Sequence, residues 1–179
     1  MDELVDILDE AGNYTGTTAF KSEAHLKGLF HPTVHVWCYT KNGKILLQQR
    51  GANKETYPLK WDVSVAGHIG AGEEITQGAV REVLEEIGVV LKVSDLEKID
   101  VHKTEKRHSN TIWDREFNHT FLTALEETTV LIKQEEEVEA LAWISLASFE
   151  NMIFNDNTGL VPNSKKRYER IIAAVRSRI

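Results

Sequence analysis

Three glutamates on one predicted helix are the residues whose spacing points most directly to chemistry. Glu82, Glu85 and Glu86 stand at positions i, i+3 and i+4, so they share an arc of about 100° on the helix surface. Like charges at these spacings repel, and the C-terminal half of a helix disfavours anions through its dipole. A divalent cation would remove both penalties. We therefore expect a site for Mg²⁺ or Mn²⁺, which take a few carboxylates and complete their shells with water and phosphate oxygens.

A glycine-rich loop and an arginine flank these glutamates. Gly67, Gly70 and Gly72 precede the helix, and glycine lets a backbone approach a ligand closely or adopt unusual dihedral angles. Arg81 directly precedes Glu82 and can pair with a carboxylate or contact a phosphate. A solvated acidic face would account for the glutamates alone. The loop and the arginine together favour a site that holds metal against a phosphate group.

This segment resembles the signature sequence of the Nudix hydrolase family. Seven specified residues and two aliphatic positions match over 23 residues, and they are Gly67, Glu73, Arg81, Glu82, Val83, Glu85, Glu86, Gly88 and Val89. Family members have an α/β/α sandwich fold and hydrolyse compounds in which an organic group is attached to a diphosphate. The resemblance implies that Glu82, Glu85 and Glu86 bind metal, with the Gly67 carbonyl as a fourth ligand. It also implies that Arg81 and Glu73 orient this cluster.

The same resemblance implies metal-dependent cleavage of a phosphoanhydride bond in a nucleoside diphosphate derivative or a related organic diphosphate. Bound metal would neutralise charge on the leaving phosphate and position a water for in-line attack. We assign proton removal from that water to Glu85, with Arg81 and Glu73 completing the predicted catalytic set. In this family the base can also lie outside the signature, and Glu136, in a later acidic run, is a further candidate.

The region before the signature resembles isopentenyl-diphosphate isomerase, an enzyme that is itself built on the Nudix fold. The likeness rests on His31, Pro32, Thr33, Val34, residues 42–50, Lys54, Pro58, Trp61, Gly67 and His68. In that isomerase a set of histidines and glutamates binds metal, and a cysteine two residues before one histidine carries the proton chemistry. Here His25, His31 and His68 fall close to the histidine positions. Glu116 fits an acidic position, so we include it among the predicted metal ligands.

Ala66 occupies the position of the isomerase cysteine, and it separates the two activities. An isomerase must add and remove protons at carbon, which alanine cannot do, so hydrolysis is the favoured reaction. Cys38 lies in another predicted strand, where we interpret it as a small buried hydrophobe. Two alternatives stay open, an isomerase-like enzyme and a non-catalytic Nudix module that binds a diphosphate metabolite. The three histidines either bind a second metal or are ordinary core or surface residues.

Periodicity predicts the elements that position these residues. Helical spacing of apolar residues predicts helices over residues 75–87, from residue 164 to the C-terminus, and more weakly over 145–152. Alternating or apolar runs predict strands over residues 6–8, 34–40, 45–49, 63–66, 99–104, 118–125 and 141–144. Asn42-Gly43 predicts a hairpin turn. The expected fold is α/β, a mixed sheet with flanking helices forming a Nudix-type α/β/α sandwich, in one domain over residues 1–179.

Composition limits the classes of partner. The chain has 41% hydrophobic and 27% charged residues and a formal net charge of −7, which argues against a nucleic-acid binder because such proteins cluster lysine and arginine. No apolar stretch approaches the roughly 20 residues that span a bilayer, so we expect a cytoplasmic enzyme without a membrane partner. A single cysteine forms no intramolecular disulfide. We expect a small-molecule diphosphate as substrate, and a homodimer remains open.

Overall fold

The computed structural model describes residues 2–155 and 159–179, and it confirms the predicted mixed sheet with flanking helices. The strands are β1 (Leu4–Leu8), β2 (Tyr14–Phe20), β3 (His31–Tyr39), β4 (Lys44–Arg50), β5 (Trp61–Asp62), β6 (Val65–His68), β7 (Glu97–Arg107), β8 (Trp113–Ala124) and β9 (Val138–Ser145). The helices are α1 (Lys21–Lys27), α2 (Ile75–Ile87), α3 (Leu146–Phe154) and α4 (Lys165–Arg176). A short 3-10 turn covers Val93–Asp95. No helix within the described ranges is long and apolar enough to cross a membrane.

Strand β3 is the centre of a seven-stranded sheet. It pairs in parallel with β8 and antiparallel with β4 and β6, while β7 extends the sheet beyond β8 and β9 pairs with β4. Strands β1 and β2 form a separate two-stranded sheet. Because β3 is covered on both sides, eight of its nine residues are buried, as is typical of a central strand with helices on both faces.

Alternate residues of β3 belong to two different layers of core. Val34, Val36 and Cys38 pack on the side of α2, whereas Trp37 and Tyr39 pack on the side of α3 and α4. The sheet is therefore sandwiched between one helix and a pair of helices. Cys38 is fully buried, as predicted, and burial raises the pKa of its thiol to about 12.

Helix α2 has the predicted bounds. Its apolar residues face the sheet, and Gly88 ends it in a left-handed conformation with φ of 72°, donating its N–H to the Leu84 carbonyl. Gly78 lies inside the helix, where glycine costs about 1 kcal/mol relative to alanine. A Cβ there would lie 2.4 Å from Ile69 Cδ1 and 2.9 Å from Glu73 Oε2. Close packing against the loop that leads into the helix therefore requires glycine at this position.

The prediction of one strand over residues 63–66 was wrong in its bounds. The chain instead passes from β5, which pairs with β4, to β6, which pairs with β3. Ser64 makes this crossing possible, since its hydroxyl donates to the Leu46 carbonyl at 2.6 Å and accepts from the Cys38 N–H at 2.8 Å. One side chain thereby satisfies backbone groups of two strands at the point where regular pairing stops.

Strand β2 and helix α1 were not predicted. Most residues of β2 are exposed, so the strand has no apolar alternation to detect. Helix α1 has only seven residues, and only Ala24 among them is buried. Gly28 ends this helix in a left-handed conformation with φ of 60°. Helix α1 matters for the site, because it carries Lys21 and His25.

Candidate metal and phosphate site

Helix α2 presents its glutamates to the backbone of β6. A Cβ at Gly67 would lie 1.9 Å from Cδ of Glu82, so only glycine allows this approach. Glu82 and Glu86 are 8% and 3% exposed, whereas the Glu85 side chain is 50% exposed. The predicted shared face is therefore present, and two of its three carboxylates are buried against the strand rather than solvated.

Hydrogen bonds and nearby charges compensate only in part for the burial of these two carboxylates. Glu86 Oε2 accepts hydrogen bonds from Gln48 Nε2 and from the Ala66 N–H, both at 3.1 Å. Burial, with the charge of nearby Glu82 adding to the effect, raises the pKa of Glu86 to about 8. Burial raises the pKa of Glu82 to about 7 despite its contact with Arg81. Two acidic groups so close together in the protein interior favour a cation, which would hold both in the ionised form.

Arg81 joins the loop to the helix through the hydrogen bonds of its guanidinium. Its Nε and Nη2 donate to the two oxygens of Glu73, both at 2.9 Å, in a bidentate pair. Its Nη1 donates to Glu82 and to Glu85, each at 2.9 Å, and Nη2 also donates to the His68 carbonyl at 2.9 Å. The guanidinium consequently fixes two of the predicted metal ligands relative to β6, and contact with it lowers the pKa of Glu73.

The glycine-rich loop is anchored at both ends. Gly70 donates its N–H to Glu73 Oε2 at 3.0 Å, and Gly72, with φ of 75°, donates to Asp6 Oδ2 at 2.7 Å. The Ala71 N–H donates to the Leu4 carbonyl at 2.8 Å. The loop is thus held to β1 as well as to α2, so the segment between β6 and the helix has a defined shape.

Three histidines from different elements meet beside this site. His25 of α1, His31 of β3 and His68 of β6 have ring centroids 5.0 to 5.4 Å apart, and their possible ligand atoms all lie within 4.8 Å of one another. Glu116 Oε1 lies 3.9 Å from Nε2 of both His31 and His68. Glu116, predicted as a ligand beside the glutamates of α2, is therefore grouped with the histidines.

The donor set of this histidine cluster fits a divalent metal. His31 Nδ1 lies 2.9 Å from the Leu29 carbonyl, which assigns the proton to Nδ1 and leaves the Nε2 lone pair facing the cluster. The Nε2 atoms of His31 and His68 are buried without a hydrogen-bond partner in the described part of the chain. Burial lowers the pKa of His31 to about 4 and that of His68 well below its ordinary value, so both rings are neutral. Neutral imidazole is the form that binds metal.

Asp114 and Glu116 differ in how they meet the histidines. Asp114 lies 3.0 Å from His25 Nδ1 and 2.8 Å from His108 Nε2, and contact with these rings lowers its pKa although burial opposes the shift. Burial raises the pKa of Glu116 to about 7, with the charge of Asp114 adding to the effect. Sequence reasoning missed Asp114. Its spacing from Glu116, two residues along one strand, was the available signal because such residues share a face.

In the acidic run at residues 135–137, the residue that acts on the glutamates of α2 is Glu137, whereas the candidate named from the sequence was Glu136. Glu136 is exposed, whereas the neighbouring Glu137 pairs with Lys54 and raises the pKa of Glu86 through its charge. Burial alone would raise the pKa of Glu137, but Lys54, Lys21 and Arg50 together lower it. Three cations therefore lie near the glutamates, where a phosphate-bearing ligand would meet them.

Comparison with known proteins supports the same fold. A crystal structure of a Deinococcus radiodurans protein matches with a TM-score of 0.66 at 16% identity, over 98% of each chain. Among curated relatives, Nudix hydrolase 3 of Arabidopsis thaliana is 32% identical over 99% of this chain, which spans only 24% of that protein. An uncharacterised Nudix hydrolase of Clostridium acetobutylicum is 36% identical over 89% of this chain and 78% of its own length.

The isomerase likeness is also present among the relatives. Isopentenyl-diphosphate Delta-isomerase 2 of Photorhabdus laumondii is 26% identical over 87% of this chain and 84% of its own length. The model of the NUDIX domain matches residues 29–166, which include the whole signature segment. This chain belongs to the Nudix family.

Proposed function

We propose that this chain is a metal-dependent hydrolase that cleaves a phosphoanhydride bond in a nucleoside diphosphate derivative or a related organic diphosphate. The observation that carries the proposal is the pair of buried carboxylates, Glu82 and Glu86, packed against the backbone of β6 at Gly67. Without a cation this arrangement places two acidic groups in the interior with raised pKa values. Arg81 pairs with Glu82, but Glu86 accepts hydrogen bonds only from neutral groups of the described residues, and structural carboxylates are rarely buried without a charged partner.

Glu82, Glu85, Glu86 and the Gly67 carbonyl are the proposed ligands for Mg²⁺ or Mn²⁺. When bound, the metal would supply charge neutralisation on the phosphate oxygens and lower the pKa of a coordinated water. The chain's own residues do the rest. Arg81 holds Glu82 and Glu85 through one nitrogen, and Glu85, half exposed to solvent, is placed to accept a proton from an attacking water.

The histidine cluster is proposed as a second metal centre, with His25, His31, His68 and Glu116 as its ligands. The two centres are neighbours along β6 but face opposite sides of the strand, since Gly67 lies against Glu82 and the next residue, His68, points into the histidine cluster. A diphosphate that reaches both centres would find Lys54 nearby to pair with its remaining charge.

Isomerisation of an allylic diphosphate is the second candidate, since the histidine cluster and the isomerase relatives favour it. Ala66 opposes it. In register Ala66 pairs with His35, on the strand segment that leads to His68, and its methyl group can neither donate nor accept a proton. Incubation of isopentenyl diphosphate with the protein, followed by a search for the isomer, discriminates the two activities.

A panel of nucleoside di- and triphosphates, nucleotide sugars and dinucleotides tests the hydrolase proposal. The expected result is release of phosphate or a phosphomonoester with Mg²⁺ or Mn²⁺ and none after chelation. Glu85→Gln and Glu86→Gln should lose most of the activity. Glu74→Gln, at the exposed N-terminal end of the same helix, is the matched control and should keep it. No turnover of any compound, or full activity in both site variants, would contradict the proposal.

A further inference from the structure

Arg167 differs from most arginines of the chain because no carboxylate lies within ion-pair distance of it in the described residues. Six others have such a partner within 4.0 Å, and they are Arg50, Arg81, Arg115, Arg170, Arg176 and Arg178. Arg107 is exposed and stacks over the Trp113 ring. Arg167 is half-buried, in the first turn of α4, and it contacts side chains of the central strands β3 and β8. It is thus a half-buried cation without a carboxylate in ion-pair distance among the described residues.

Neutral side chains hold this guanidinium in place. Nη2 lies 2.7 Å from His35 Nδ1 and donates to Asn118 Oδ1 at 2.8 Å. Asn118 is itself fixed, because its amide nitrogen donates to Thr33 at 3.2 Å and its oxygen accepts from Thr120 at 3.1 Å. Nε and Nη1 of Arg167 donate to none of the described residues, and neither atom is sealed from solvent. Its orientation is therefore fixed while three N–H groups remain free for a ligand.

The guanidinium lies on the sheet face that carries the histidine cluster. Asn118 stands two residues beyond Glu116 on β8, and His35 stands four residues beyond His31 on β3. At about 3.3 Å per residue, these positions are roughly 7 Å and 13 Å from the corresponding cluster residues. Ala66 pairs with His35 in register, and its methyl side chain is small. One extended ligand can span both places.

The charges around Arg167 leave its own charge uncompensated. Burial lowers its pKa, and the carboxylates that oppose this act from a distance. Two of them already pair elsewhere, Asp62 with Arg50 and Asp100 with Arg170. The third, Glu116, belongs to the histidine cluster. A buried cation is costly without a hydrogen-bonded anion, and an oxyanion from a ligand would supply one.

We propose that Arg167 binds a second oxyanion, a carboxylate or phosphate, on the organic portion of the substrate. The proposal rests on the proposed function and narrows its substrate class. The diphosphate occupies the metal end of the face, and the preferred substrates carry a further acidic group roughly 7 to 13 Å away. Asn118 and His35 act as positioning residues that hold the guanidinium.

Binding of matched non-hydrolysable probes tests this assignment. The probes are alkyl methylenebisphosphonates whose alkyl chains end in a carboxylate, a phosphate monoester or a methyl ester. The three probes of a set share one chain length, and sets are prepared with chains of about six to ten carbons. Calorimetric titration in Mg²⁺ should give the acidic probes about tenfold to a hundredfold tighter binding than the ester, as for one charge-assisted hydrogen bond. The ratio of carboxylate to ester affinity is the readout.

Two variants and one control separate recognition from folding. Arg167→Met should bring the ratio to about one with the ester affinity unchanged, and Arg170→Met, one turn away on the exposed side of α4, should keep it. If Arg167→Met does not fold, Asn118→Asp serves instead, because it supplies the counter-ion internally and should also remove the preference. Equal affinities in the wild type, or a preference that survives in Asn118→Asp, would overturn the proposal.

The proposed function has a separate readout, because the bisphosphonates are not hydrolysed. Hydrolysis of the panel of nucleoside di- and triphosphates, nucleotide sugars and dinucleotides reports phosphoanhydride cleavage. If no compound of that panel is hydrolysed, the hydrolase proposal fails while the bisphosphonate ratio still judges Arg167. If a compound is hydrolysed and the ratio is one, only the oxyanion assignment fails.

Discussion

The glutamate and histidine clusters differ in how the chain builds them. The glutamate site comes from one continuous segment, residues 67–89, in which a loop connects strand β6 to helix α2. The histidine site is assembled from α1, β3, β6 and β8, which are far apart in sequence. The first is determined by local geometry, whereas the second depends on the complete sheet. Chemistry encoded locally can therefore be predicted from sequence, and chemistry assembled by the tertiary fold requires the structure.

The largest effect is expected where the glutamate site depends on backbone proximity. Gly67→Ala would place a Cβ 1.9 Å from Glu82 Cδ, so the carboxylate must move out of the proposed metal position. Because metal assistance is worth several kcal/mol, we expect kcat/KM to fall on the order of a thousandfold. Gly70→Ala is the matched control, since its Cβ would lie 3.6 Å from the nearest atom, an ordinary contact. Equal activity of both variants would contradict the assigned ligand geometry.

Metal content should separate the two clusters. Removing one imidazole of the histidine cluster, as in His31→Ala, should weaken one class of Mn²⁺ site at least about tenfold and leave the glutamate class intact. Glu86→Gln should show the reverse. His119→Ala, a half-buried histidine on the opposite face of the sheet, is the control. Metal analysis after equilibrium dialysis gives the stoichiometry, and loss of both classes in one variant would mean that the clusters are a single site.

The structure explains why the histidine cluster was predicted only in part. His25, His31 and His68 were all identified through a resemblance, but how His25 reaches the other two depends on α1, a seven-residue helix with one buried residue that no periodicity reveals. Lys21 went unnoticed for the same reason. Ser64 likewise divides a predicted strand through two side-chain hydrogen bonds that a period-2 pattern does not contain. Helix α2, in contrast, was predicted with its bounds because apolar spacing, the glutamate face and Gly88 agree.

The pH dependence of stability distinguishes the clusters in the metal-free protein. Glu86 has a folded-state pKa of about 8, raised from 4.5, so its contribution to stability falls as pH rises between these values. His31, with a pKa lowered to about 4, contributes the opposite slope, which ends near pH 6.5. Between pH 6.5 and 8 the carboxylates act alone, and the unfolding temperature should fall. Mg²⁺ should abolish this fall, whereas a slope that is unchanged by Mg²⁺ or in Glu86→Gln would contradict the account.

The smallest effect concerns the acidic run beside the glutamate site. Glu137→Gln removes the partner of Lys54 and a charge that acts on Glu86, so we expect KM to change by about threefold, as for a partly exposed ion pair. Glu136→Gln should leave both kcat and KM unchanged because that side chain is exposed. Steady-state kinetics on a substrate from the panel would decide, and a large loss in Glu136→Gln would restore it as a catalytic base.

Hydrolysis in ¹⁸O-labelled water tests most directly whether residues 67–89 form a site that cleaves phosphoanhydride bonds. With Mg²⁺ and a substrate from the panel, we predict one ¹⁸O atom in a phosphate-bearing product, detected by mass spectrometry, and no such product from Glu86→Gln. Label that enters no phosphorus product with any compound, or enters equally in Glu86→Gln, would contradict the account.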